Sequence, residues 1–186
     1  MTPTDILKEE HELILVMLKV IDRVCDRLAR GEKIKPEHLS DIIDFIRGFA
    51  DGCHHAKEEK LLFPALEQAG IARTDGPVGF MLAEHAMGRN YLTLMDEALG
   101  RYKAGDPAAS EKFVENAKGY IELLNGHIMK ENNVLFVMAN QRLSGEKQKE
   151  LLEGFERIEI EETGEGVHEK YHGMLHHMRD IYMPEV

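Results

Sequence analysis

The chain is predicted to be all-α: an antiparallel up-down four-helix bundle with one or two extra C-terminal helices. Three observations lead there. Apolar residues recur in alternating steps of three and four, the spacing that repeats one helical face. Proline and glycine punctuate the chain at the ends of these stretches. Two long segments also echo each other about 73 residues apart, as the halves of a symmetric bundle would.

The first helix is expected to start with Thr4 as N-cap and to run to about Arg30, where Gly31 ends it. Its seam is Leu7, His11, Ile14, Leu18, Ile21, Cys25 and Leu28. Pro36 suits the first turn of a second helix, which continues to about Ala69 before Gly70. Ile46, Ala50, His54, Glu58 and Leu62 lie on one slowly drifting face of it, and Pro64 is expected to kink or interrupt it. The third helix has Pro77 near its start and Gly105 past its end, with a seam of Met81, His85, Gly88, Leu92, Met95, Leu99 and Tyr102. The fourth opens at Asp106-Pro107, an N-cap followed by proline at the first helical position. Its seam is Phe113, Ala117, Tyr120, Leu124, His127, Glu131, Val134 and Met138. Such seams belong to helices packed about 20° apart. The bundle is assigned to residues 1–143 and a helical extension to 144–186. That extension holds a charged helix capped by Ser144, a break at TGEG, and a last helix before Pro184. It is expected on the outside or end of the bundle, where it offers a surface for self-association.

The echo carries the chemistry. HHAKEEKLLFPAL from His54 aligns with HIMKENNVLFVMA from His127, matching His54 with His127, Glu58 with Glu131, Leu62 with Leu135 and Phe63 with Phe136. Upstream, EEHELI around His11 and AEHAMG around His85 are offset by 74 residues. Each H-x-x-x-E pair falls on one face of a helical turn. His11, His85, His127 and Glu131 occupy core-seam positions, with His54 and Glu58 on the corresponding face. A buried, unpartnered carboxylate costs several kcal/mol, and a cation supplies the compensation. Imidazole and carboxylate donors together suit iron, zinc or manganese rather than calcium or magnesium. Four histidines and two glutamates exceed one tetrahedral zinc, and the repeat implies two metals bridged by Glu58 and Glu131. The remaining positions would take an oxo or hydroxo bridge and an exogenous ligand such as oxygen, nitric oxide or peroxide.

With this ordered pattern over roughly residues 5–143, the chain resembles the hemerythrin-like family of HHE cation-binding domains. The resemblance implies a four-helix bundle holding a centre of two non-haem irons. Carried over residue by residue, its metal ligands are His11, His54, Glu58, His85, His127 and Glu131. His55 and Glu59 are left as neighbours or outer partners, or as groups facing solvent. Two departures stand out. Oxygen-carrying members use five histidines, with an H-x-x-x-H pair on the third helix; here Arg89 stands four residues after His85. Iron–sulfur repair members carry an N-terminal cysteine segment with no counterpart at the start of this sequence. Ferritin-like E-x-x-H pairs are missing from the core positions.

Net charge is −11, with no basic cluster, which argues against nucleic acid or an anionic membrane surface as partner. Cys25 and Cys53 form no disulfide framework, and the acidic N-terminus reads as neither signal peptide nor membrane span, so a cytoplasmic setting is expected. Cys25 on the seam reads as a small apolar residue, and the methionines as core filler, with Met95 and Met129 as candidates to line a ligand pocket. The tail string His168-Glu169-Lys170-Tyr171-His172 matches H-E-x-x-H, yet only 14 residues follow it and no third ligand is evident. The stripe His168, His172, His176 reads as a solvated helix flank or an outer metal contact.

The function expected is a non-haem di-iron protein binding or sensing oxygen, nitric oxide or peroxide. An oxidoreductase detoxifying nitric oxide or peroxide is the rival, with Tyr120, Tyr91 or His55 as proton donor. Iron handling for iron–sulfur repair, and metals that only staple the bundle, are further readings.

Overall fold

A computed structural model describes residues 1–164 and 166–184. Among them there are six helical stretches and no strand: α1 (Pro3–Ala29), α2 (36–68), α3 (Pro77–Lys103), α4 (109–142), α5 (145–163) and α6 (Val167–Tyr182). The N-cap of α1 is Thr2, not Thr4. Thr2 and Asp5 form a reciprocal capping box, with Pro3 in the first turn, and Thr4 is instead buried, donating its hydroxyl to Asn140 at 2.9 Å. Gly31, Gly70 and Gly105 follow α1, α2 and α3 with positive φ, the conformation that closes a helix without a Cβ penalty. Helix α4 begins at Ala109, later than expected; the Asp106 carboxylate accepts from the Ala108 amide at 2.9 Å one turn ahead of it. Ser144 caps α5 as expected. The predicted break before α6 includes Glu165, which lies outside the described residues.

Helices α2 and α4 are not purely α-helical. Wide π turns occupy Ile46–His55 and Glu58–Leu62 in α2 and Glu131–Leu135 in α4. In both repeats the same wide turn follows the glutamate: the amide of Phe63 donates to the Glu58 carbonyl, and that of Phe136 to the Glu131 carbonyl. Pro64 then falls in the first turn of the resumed α-helix, where its missing N–H leaves no gap, so α2 runs through it. The extra residue in the α4 turn also moves the seam on by one. Leu135 and Ala139 are buried in place of the expected Val134 and Met138, and Val134 is exposed.

Helices α3 and α4 share the longest interface, α1 packs on α4 and α6, and α2 packs on α3 and α6. Apolar side chains form two clusters. One contains Leu7, Leu62, Phe63, Met81, Leu135 and Phe136; the other contains Ile14, Phe49, Leu92, Phe113 and Tyr120. Along α1 and α3 the histidines fall between them, since Leu7 and Ile14 bracket His11, and Met81 and Leu92 bracket His85. The tail is more integrated than a bundle exterior: Tyr171, Leu175, Met178 and Tyr182 of α6 join the second cluster, and Leu151 and Phe155 of α5 join the first. Docking of α6 depends on Gly48, because a Cβ there would lie 1.7 Å from the Tyr171 hydroxyl.

Candidate metal centre

All six sequence-derived ligands converge. His11, His54, Glu58, His85, His127 and Glu131 are each no more than 1% exposed, and they arrive from four helices. Each carboxylate divides its oxygens between two groups of imidazoles. Glu58 turns Oε1 to His54 Nε2 (3.7 Å) and Oε2 to His85 Nε2 (3.4 Å). Glu131 turns Oε2 to His11 Nε2 (3.1 Å) and Oε1 to His127 Nε2 (3.2 Å). Donor atoms of His11, His54, Glu58 and Glu131 all lie within 4.8 Å of one another, and so do those of His55, Glu58, His85 and His127.

His55 is therefore a seventh member, which the alignment of the repeats passed over. It is 5% exposed, not solvent-facing, and its ring stacks on His85 with centroids 3.8 Å apart. The fifth imidazole comes from α2 rather than from α3. The wide turn that places His54 also carries His55 inward, and a purely α-helical reading points it elsewhere.

Each imidazole is fixed by its Nδ1, which leaves Nε2 for the centre. Glu10 on α1 accepts from His54 on α2 (2.9 Å), and Glu59 on α2 accepts from His85 on α3 (2.7 Å). Glu84 on α3 accepts from His127 on α4 (2.8 Å), and Asn132 on α4 accepts from His11 on α1 (2.9 Å). These four bonds form a closed ring around the four helices; His55 is held within α2 by Asp51 (3.2 Å). Such partners orient a ligating imidazole and raise its basicity. They were legible in the repeat: Glu10 and Glu84 each precede a ligand histidine, and Glu59 and Asn132 each follow a ligand glutamate. The lysines before those glutamates repeat too, since Lys57 pairs with Glu10 and Lys130 with Glu84. Phe63 and Phe136 complete the symmetry, stacking on His85 (5.7 Å) and His11 (5.5 Å).

Since Glu59 holds His85, its removal matters. Glu59→Ala is expected to weaken metal retention about 10- to 100-fold in a chelator competition. Unchanged retention would show that the His85–Glu59 bond does not tune the centre.

Protein atoms alone leave the centre unsatisfied. Nε2 of His11, His54 and His55 and all four oxygens of Glu58 and Glu131 are buried without a hydrogen-bond partner. Burial, and next the charge of Glu131, pushes Glu58 well above the carboxylate range. Glu131 is held well down against its burial by His127 and His11. Burial, then His11, lowers His54 to about 4, and burial with His85 lowers His55, so both are neutral and able to ligate. A donor set of five imidazoles and two carboxylates in a sealed core, seven of its atoms without a hydrogen-bond partner, fits divalent transition metal and little else.

Arg89, four residues after His85, bonds both Asp51 (2.9 Å) and Glu59 (2.8 Å), the carboxylates that anchor His55 and His85. Beside it is a cleft of only about 10 Å³ lined by His55, His85, Gly88 and Tyr120. Met129 is 62% exposed, whereas Met95 is fully buried. Tyr120 is also buried, and burial raises its pKa.

Fold and site together define an all-helical cation-binding protein. The chain matches the hemerythrin HHE cation binding domain over residues 2–139, and it belongs to that family. Among curated proteins it is similar to an uncharacterized protein of Mycobacterium tuberculosis, 25% identical over 163 residues, covering 88% of this chain and 63% of that one. It is also similar to the iron-sulfur cluster repair protein YtfE of Edwardsiella ictaluri, 31% identical over 131 residues, covering 69% of this chain and 56% of that one. The iron-sulfur cluster repair protein DnrN of Neisseria gonorrhoeae is 33% identical over 86 residues, covering 45% of this chain and 54% of its own. The chain thus spans less than two thirds of each of these relatives. No solved structure matches it. Among the described residues no helix is long and apolar enough to cross a membrane.

Proposed function

We propose that this chain is a non-haem di-iron protein that binds or senses a small ligand such as oxygen, nitric oxide or peroxide. The observation that carries the reading is the division of each carboxylate: Glu58 and Glu131 each offer one oxygen to the His11/His54 side and one to the His85/His127 side. In this reading Glu58 and Glu131 would be shared between two metals, His11 and His54 would hold one, and His55, His85 and His127 would hold the other. The helices α1 to α4 form an antiparallel up-down bundle over residues 1–143, and residues 144–186 are its extension. When bound, iron would supply redox chemistry and a place for an exogenous ligand. The His11/His54 side offers fewer imidazole donors than the His55/His85/His127 side. The chain's own residues orient imidazoles and exclude water.

Iron handling in cluster repair is a second reading, favoured by the similarity to two proteins so named. Anaerobic iron reconstitution followed by oxygen titration tests the first. About two irons per chain are expected, the number that five imidazoles and two bridging carboxylates serve. A reversible charge-transfer band supports binding, and irreversible oxidation with peroxide turnover supports an oxidoreductase. Firm preference for zinc, or metal content below about one per chain, defeats the di-iron assignment.

A further inference from the structure

A second group of donors lies outside the core. His168 and His172, one turn apart on α6 with ring centroids 5.1 Å apart, line a cavity of about 330 Å³. Glu9 and Glu10 of α1 and Glu159 of α5 line it as well. Glu10 is 3% exposed and accepts the His54 Nδ1 proton, so the cavity ends one hydrogen bond from a core imidazole.

We infer that this cavity is a capture site for divalent transition-metal ions, held by His168, His172, Glu9 and Glu159, through which metal is delivered to the core. The inference rests on the core being a metal centre. That centre is sealed, its seven donors being 0–5% exposed, so a metal needs a route in. The cleft beside Arg89 is a poor one: it has about 10 Å³ of room, and its nearby carboxylates, Asp51 and Glu59, are engaged by the guanidinium. The cavity has the opposite character. Its imidazoles and carboxylates form a borderline donor set, and an i, i+4 histidine pair on a helix is a known two-point grip on such ions. Burial, then His168 and His176, lowers the pKa of His172, which favours the neutral, ligating ring.

The path inward continues. Glu10, Glu159 and Cys53 bring three donor atoms within 4.8 Å of one another, and the Lys57 ammonium bonds both carboxylates there. A metal ion passing to His54 must displace the Lys57 ammonium from these carboxylates. The outer donors are not gathered on one point, which suits capture and release rather than retention. The H-E-x-x-H string thus supplies two histidines to a transit site, while its Glu169 stays exposed to solvent.

Anaerobic Fe²⁺ uptake by the metal-free full-length chain, sampled by rapid chelator quench, tests this. His168→Ala/His172→Ala is expected to reach the wild-type iron content at an initial rate about tenfold lower, the scale of electrostatic focusing by a charged cleft. Glu169→Ala, on the solvent-exposed side of the same helix, should load at the wild-type rate. Wild-type uptake by the histidine double variant overturns the inference. In a second arm, Co²⁺ is titrated into His54→Ala/His127→Ala, whose core set is broken. A weak residual site that vanishes when His168 and His172 are also replaced supports capture at α6, and one that persists unchanged overturns it. A wild-type chain that takes no iron into its core, yet keeps the weak Co²⁺ site, defeats the core reading and delivery with it, leaving capture alone.

Discussion

Glu58→Gln is expected to strip the centre of metal while leaving the metal-free protein as stable as wild type. The two halves of that result have one cause. Without a cation, burial and the charge of Glu131 already push the Glu58 carboxyl toward its neutral acid. The amide imitates that acid in size and polarity, so the apo fold loses little. It cannot supply two anionic oxygens, and the link between the His54 and His85 sides goes with it. The stabilisation that metal gives the wild type, about 4 kcal/mol when free metal stands a thousandfold above its dissociation constant, should largely disappear. Glu131→Gln separates the carboxylates. His127 and His11 hold Glu131 ionised, so its replacement should lower apo stability as well as release metal. Thermal unfolding with and without Fe²⁺, beside metal analysis, reads both effects. Retention of both metals in either variant would sink the bridging assignment.

Lys57→Met is expected to destabilise the fold by about 3–5 kcal/mol, the scale for removing one partner of a buried ion pair. Lys57 is fully buried, and its ammonium bonds Glu10 and Glu159. Losing it strands Glu10, whose pKa is held at about 2, against the effect of burial, by His54 and Lys57. The repeat supplies its own control. Lys130 pairs with Glu84 at the equivalent place, but its side chain is 47% exposed, so Lys130→Met should cost below about 1 kcal/mol. Urea unfolding of both variants decides it, and equal losses would mean that burial of the first pair contributes nothing. The difference accompanies the second carboxylate on Lys57, which α5 supplies as Glu159, whereas the Lys130 side chain is 47% exposed.

Helix content, most helix ends and the convergence of the six candidate ligands were legible because each is a local pattern. A three–four seam, a proline or glycine at an end, and a carboxylate on a buried face can all be read within a few turns. What escaped was governed by phase. Val134 and Met138 fit a uniform α-helix, and one wide turn after Glu131 exchanged them for Leu135 and Ala139. The same change of pitch in α2 turned His55 from a neighbour into a donor. A hint was present: the run Ile46, Ala50, His54, Glu58, Leu62 advances by fours throughout, which in an α-helix drifts about 40° per step. Glu10, Glu84 and Asn132 were missed for another reason. The repeat was aligned for its ligands, and the residues beside them repeat just as faithfully.

The ring of Nδ1 bonds bears on how the centre can come into being. Each of the four helices both gives and receives one link, so any three leave one imidazole untethered and one tethering group without its imidazole. A partly assembled chain thus holds no lesser version of the site with weaker grip. Ordering of the donors and completion of the core become a single event, and a metal ion that is held strongly reports that the last helix has closed.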